Sequence, residues 1–224
     1  KEAGKVEYTG ELKPLKWGLA NSRNNYSAWI MKQAKQPEAV ADFIHNMGVH
    51  SFIDPVYALC LGSSEVSLFE MTSAFATFAN HGVNIDPIFV TRIEDRQGNM
   101  LASFVPTSND AISEETANIM LGMLQNVVNA GTAGRLRWMY GFKGEIAGKT
   151  GTSQENRDAW FIGITPKLVA GVWVGAEDQS VRLDRNGEGS ARALPIFGEF
   201  MKRVYATPRL GVYESDSFGI PYNL

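Results

Sequence analysis

Apolar positions recur at helical spacing through part of this chain and as alternating or unbroken runs through the rest, and the change of period marks its elements. Pro14 to Asn21 carries a short helical pattern on Leu15 and Leu19, and Tyr26 to Lys35 resumes it. The polar cluster Asn21-Ser22-Arg23-Asn24-Asn25 between them reads as a loop. Pro37 fits a first helical position, with Val40, Phe43, Ile44 and Met47 at helical spacing and Gly48 as the stop. Glu65 to Ala79 aligns Leu68, Met71, Phe75, Phe78 and Ala79 on one face, an amphipathic helix whose Met and Phe stripe is core rather than a cofactor box. The clearest helix opens at Ser113-Glu114-Glu115 with acids in its first turn. It carries Ala117, Met120, Leu121, Leu124, Val127 and Val128 on one face until Gly131 ends it.

The strand signals follow two patterns. Ile88 to Glu94 and Met100 to Val105 flank Asp95-Arg96-Gln97-Gly98-Asn99 and read as a hairpin, a β excursion between helices. Beyond the loop Gly131 to Arg135, three strands are expected over Glu145 to Thr152, Asp158 to Thr165 and Leu168 to Gly175. Only Pro166-Lys167 separates the last two, so they pair antiparallel. Their nearly continuous apolar runs predict strands covered on both faces, with Pro195 to Tyr205 supplying one covering helix and Glu114 to Val128 another. Ala176 to Arg192 reads as a polar surface loop and 207–224 as an irregular tail. The fold class expected is α/β of the α+β kind, an antiparallel sheet sandwiched between helices.

Composition narrows the function. A chain of 224 residues, 44% apolar and 11% aromatic, folds as a globular domain with a substantial core. A net charge of -3 without a long basic run argues against nucleic acid as a partner. Cys60 is the only cysteine, which excludes an intrachain disulfide and suggests a small buried hydrophobe. His45, His50 and His81 lack metal-ligand spacing, so we expect no metal, and no cofactor is implied. No run approaches the roughly 18 to 20 apolar residues that span a bilayer, and Lys1 to Gly10 is polar rather than a signal peptide. A soluble chain with an upstream part is the expectation.

Candidate chemistry concentrates at Lys149-Thr150-Gly151-Thr152-Ser153. A cation, two hydroxyls and a glycine that admits close backbone approach make a receptor for a carboxylate along a strand edge. The alternative is a solvated lysine at a strand end. A nucleotide-binding P-loop is a third reading, but Gly144 and Gly148 enclose three residues where that pattern needs four, and a strand rather than a helix follows. Ser22-Arg23-Asn24 is weaker alone, because Asn24 or Asn25 is placed to cap the helix from Tyr26. About 125 residues separate the two segments, and their order matches the SxN and KTG motifs of penicillin-recognising enzymes.

The chain resembles the C-terminal part of a class A penicillin-binding protein transpeptidase domain, over roughly residues 8 to 205. The residues that carry the likeness are Ala20 to Asn24, Gly62 to Gly82, Asn129 to Ala133, Gly148 to Thr152, Arg157 to Pro166 and Val169 to Gly175. The resemblance implies a β-lactamase/transpeptidase-like fold, with 1–206 as part of that domain. It implies a serine enzyme of the cell envelope, at the outer face of the cytoplasmic membrane, that cross-links peptidoglycan stem peptides and is acylated by β-lactams. By the same likeness Ser22 relays a proton and Asn24 binds the substrate backbone. Lys149 holds Ser22, Thr150 and Thr152 bind the terminal carboxylate, Gly151 admits the ligand, and the Thr152 N–H forms half of an oxyanion hole. The family's nucleophile lies in an SxxK motif, and no Ser or Thr here has Lys three residues on. We therefore expect a fragment inactive alone, its nucleophile and two sheet strands upstream, and a bare sheet edge that favours self-association. A non-catalytic peptide-binding module of the same fold is the alternative.

Overall fold

The β-branched and aromatic runs near the C-terminus form the frame on which everything else is mounted. The computed structural model describes residues 11–178, 180–183 and 187–220. In chain order its elements are α1 (Leu15–Ala20), α2 (Asn24–Ala34), α3 (Pro37–Asn46), α4 (Leu68–Ala79), β1 (Val83–Ile85), β2 (Arg92–Glu94), β3 (Met100–Ser103), β4 (Ser108–Asp110), α5 (Glu114–Ala130), α6 (Arg135–Trp138), β5 (Ala147–Thr152), β6 (Asp158–Thr165), β7 (Leu168–Gly175) and α7 (Ala193–Tyr205). The main sheet is antiparallel in the order β5-β6-β7. β6 and β7 have the bounds their sequence pattern predicts.

Helices cover both faces of this sheet. The register pairs Ile162 with Gly171 and Gly163 with Ala170, so Gly171 and Gly163 present opposite faces. A Cβ on Gly171 would lie 2.2 Å from Thr72 Oγ1 of α4, and one on Gly163 would lie 2.3 Å from the Phe197 ring of α7. Each helix seats because its facing residue has no side chain. α5 lies on the α4 face, where Leu121 and Leu124 pack with Ala147 and Ile164. On the α7 face Phe161 and Phe197 meet edge-on at 5.0 Å. Such an aromatic pair contributes about 0.5–1.5 kcal/mol beyond its buried area.

Several boundaries differ from the sequence pattern. α4 starts at Leu68, not Glu65, because Ser67 accepts the Glu70 N–H and Glu70 returns the bond to the Ser67 N–H. This reciprocal cap overrides the apolar spacing upstream. Hydrogen bonds from Ser67, and then Ser51, hold the Glu70 carboxyl down at about 2. The expected loop at Gly131 to Arg135 turns into α6, and the last helix begins at Ala193 rather than Pro195. The β2–β3 hairpin is shorter than its apolar runs, and β1 pairs with β4 without any sequence warning. Cys60 is half-buried in a one-turn helix, where its thiol reaches the Tyr57 carbonyl at 3.1 Å, and is not a fully buried hydrophobe.

Two segments read as irregular have defined seats. The loop after β7 is not wholly a surface loop, because Gly189 is buried against β5 and β6. Described as far as residue 220, the tail docks on the irregular segment that leads into β5. Glu214 accepts the Lys143 N–H at 2.5 Å, and Glu145 accepts the Phe218 N–H at 2.6 Å. Phe218 and Ile220 join the apolar cluster beneath α5.

Candidate active site

α1 is short because its exit is fixed by a hydrogen-bonded turn. The Ser22 N–H bonds the Leu19 carbonyl at 3.1 Å and the Arg23 N–H bonds the Gly18 carbonyl at 3.0 Å. These two bonds are the Schellman pattern, whose pivot residue is left-handed and usually glycine. Here the pivot is Ser22, with φ 51. The left-handed backbone costs a non-glycine residue about 1–2 kcal/mol. In return the turn aims the Ser22 hydroxyl at β5.

Asn24 is the first residue of α2 and is exposed. Neither Asn24 nor Asn25 caps that helix, since its N-cap is Arg23 with no side-chain cap bond. The capping alternative is thereby corrected. Arg23 instead lies over the Trp17 ring at 5.4 Å.

β5 supplies the facing wall. The Lys149 ammonium donates to Ser22 Oγ at 2.8 Å and to the Thr150 carbonyl at 2.8 Å. No ion pair joins Lys149 among the described residues, and burial lowers its pKa to about 8. A half-buried ammonium with two neutral acceptors is stabilised less than one in water, so its proton is held more loosely. Lys149 and Thr150 lie inside a strand, and no helix opens there, which removes the P-loop reading.

The two threonines are each engaged from behind. Thr150 is 7% exposed, and its hydroxyl meets that of Thr132 at 2.7 Å. Thr152 Oγ1 accepts the Gly189 N–H at 3.0 Å. Gly151 sits beside Trp160, whose Cβ lies 3.0 Å from where a Gly151 Cβ would be. β5 pairs only with β6 among the described residues, so its other edge has no strand. The structure thus brings Ser22, Lys149, Thr150, Gly151 and Thr152 to one place. Asn24 follows two residues after Ser22, exposed at the start of α2.

A family model described as the penicillin binding protein transpeptidase domain matches residues 6–202. The chain belongs to that family. Penicillin-binding protein 1A of Aquifex aeolicus is 33% identical over 207 residues, which cover 92% of this chain and 27% of that protein. Penicillin-binding protein 1B of Haemophilus influenzae is 36% identical over 156 residues, covering 68% and 19% of the two chains. The chain therefore spans about a quarter of the length of these transpeptidase relatives or less. Among solved structures, penicillin-binding protein 1A from Haemophilus influenzae superposes with TM-score 0.76 at 25% identity, over 86% of this chain and 34% of that one. The PonA1 protein from Mycobacterium tuberculosis, solved with penicillin V, has TM-score 0.78 at 24% identity over 96% and 62%. The expected α+β fold is the fold of this transpeptidase family.

Sequence reasoning assigned no role to Thr132 or Gly189. Thr132 lies in the Asn129 to Ala133 stretch that carries the family likeness, which was its one signal. Gly189 lies in a polar loop with nothing in its composition to link it to Thr152.

Proposed function

We propose that this chain is part of a peptidoglycan D,D-transpeptidase and contributes one wall of its active site, with the nucleophilic serine supplied by an SxxK segment outside the sequence given. The observation that carries this reading is the 2.8 Å contact between Lys149 and Ser22, which joins two motifs far apart in the chain. In the reaction a serine oxygen attacks the carbonyl carbon of the penultimate D-alanine of a stem peptide. Ser22 passes the serine's proton to the departing amine of the terminal D-alanine, and an amine of a second stem peptide then takes the acyl group. The Lys149 charge keeps the Ser22 hydroxyl acidic and in place. Thr150 and Thr152 donate to the terminal carboxylate, Gly151 lets the peptide lie against β5, and Asn24 bonds the substrate backbone. The Thr152 N–H is one donor to the developing oxyanion. β-Lactams acylate the same serine, and the parent protein works at the outer face of the cytoplasmic membrane.

Fluorescent penicillin labelling of the full-length parent tests this. Wild type should label, and Lys149→Ala and Ser22→Ala should each slow acylation by roughly 10²–10³-fold, the scale of losing one charge-stabilising donor. Near-normal rates would remove both residues from the site. The chain by itself should not label. If the parent gene encodes no SxxK segment, the alternative applies, a non-catalytic module that grips peptide termini on β5; the absence of that motif from this chain favours no other reading.

A further inference from the structure

Two segments outside the recognised motifs touch the carboxylate-binding threonines. A threonine hydroxyl has one proton to donate and two lone pairs that accept. Thr152 accepts a main-chain N–H from Gly189, which cannot reverse direction, so the Thr152 proton stays available for a ligand. Thr150 is arranged differently. Its hydroxyl partner is another hydroxyl, Thr132 Oγ1 at 2.7 Å, and either can donate. An anion beside Thr150 removes that ambiguity, since Thr150 must then donate to the anion and can only accept from Thr132.

Thr132 is built to hold still. Its N–H donates to the Ala20 carbonyl at 3.0 Å, and the next residue, Ala133, is fully buried with its N–H on the Val127 carbonyl at 3.1 Å. Gly131 lies against the same Ala20 carbonyl, where a Cβ would come within 2.3 Å. Ala20 is the last residue of α1, two before Ser22. The Thr132 hydroxyl therefore comes from a fixed backbone that also supports the Ser22 turn.

We propose that Thr132 is a positioning residue for the transpeptidase, donating to Thr150 so that Thr150 donates to the substrate carboxylate. The inference rests on the transpeptidase reading above. In a ligand-bound site the protons run Thr132 to Thr150 to carboxylate, and each donor strengthens the next. Thr132 itself touches no substrate.

The test is the second-order acylation rate constant of the full-length parent with a penicillin and with its carboxylate methyl ester. Acylation of wild type by the free acid is required first; its failure would overturn the transpeptidase reading and this inference with it. Given that, Thr132→Val should slow reaction with the acid about 2- to 10-fold, the range for one neutral hydrogen bond, and leave the ester rate unchanged. Thr132→Ser should restore the acid rate. Thr132→Val should add nothing in a Thr150→Val background. Equal slowing of acid and ester, no rescue by serine, or an additive double variant would mean that Thr132 serves only the fold. No slowing at all, with wild type active, would discard the hydrogen-bond chain outright. Should Thr132→Val not fold, Thr132→Ala takes its place: slowing confined to the acid supports the proposal, and equal slowing of acid and ester, or none, overturns it.

Discussion

At the scale of single residues, the site trades stability for aim. Ser22 occupies a left-handed position that glycine takes without strain. Ser22→Gly should therefore be more stable than Ser22→Ala by about 1 kcal/mol, since both lose the hydroxyl and only alanine keeps the strain. Urea denaturation of the two variants checks this, and equal midpoints would mean that the turn carries no strain. Lys149 gives a pH signature. Its folded value of about 8 lies below the ordinary 10.5, so the unfolded chain binds more protons between those values. Its contribution to stability is present above about 10.5 and is lost as pH falls toward 8. The difference in stability between wild type and Lys149→Met should follow that window, and a flat difference across it would place Lys149 in water. The identities of Lys149 and Ser22 were legible because two weak motifs in the right order make a strong one. The place of Thr132 was legible only as part of a stretch that carries the family likeness, and its role was not, because a lone threonine after a glycine does not announce which hydroxyl it will meet.

Element by element, what the sequence reveals depends on which force sets the boundary. β6 is legible to the residue because burial on both faces imposes an unbroken apolar run, whereas β7 has the expected bounds with its residues only half-buried and Trp173 exposed, its β-branched and aromatic residues marking a strand without full cover. α4 was placed three residues early because a side-chain cap at Ser67, not hydrophobic periodicity, starts it. β1 and β4 were missed because three-residue strands are held by distant partners. Asn84 in β1 is buried and donates to the Met47 carbonyl at 2.9 Å and to Thr77 Oγ1 at 3.1 Å, contacts that no local pattern announces. The glycine seats of the sheet make a direct prediction. Gly163→Ala places a methyl 2.3 Å from the Phe197 ring, and overpacking of this kind costs about 1–3 kcal/mol. Gly62→Ala lies in open space, but at φ +80 it would report backbone strain instead, so Gly122→Ala, in open space inside α5, is the proper control. In thermal melts Gly163→Ala should fall well below that control; equal melting would mean that α7 shifts without cost.

At the scale of the whole molecule, the candidate site is assembled from three stretches, 20–24, 131–132 and 149–152, joined by the Thr132–Ala20, Thr132–Thr150 and Lys149–Ser22 hydrogen bonds. Gly189 braces the last of them from behind, and the tail residues Glu214 and Phe218 tie down the irregular segment that leads into it. The tail's packing was not legible, because Glu214 bonds main-chain amides and the Asp216–Lys167 ion pair joins residues that no spacing links in the sequence. β7 has eight residues, and its outer edge carries no strand among the described residues. A long apolar edge recruits other strands. The isolated chain should therefore form oligomers whose mass rises with concentration in light scattering, and a strictly monomeric chain would show that this edge is covered by other means. Gly131 and Thr132 carry one last consequence. Wedged between the end of α1 and β5, they act as a spacer of fixed thickness, so the gap between the Ser22 turn and the Thr150 strand has a set width. The turn that carries Ser22 and the strand that carries Thr150 are therefore coupled through one residue, so a displacement of either is passed to the other.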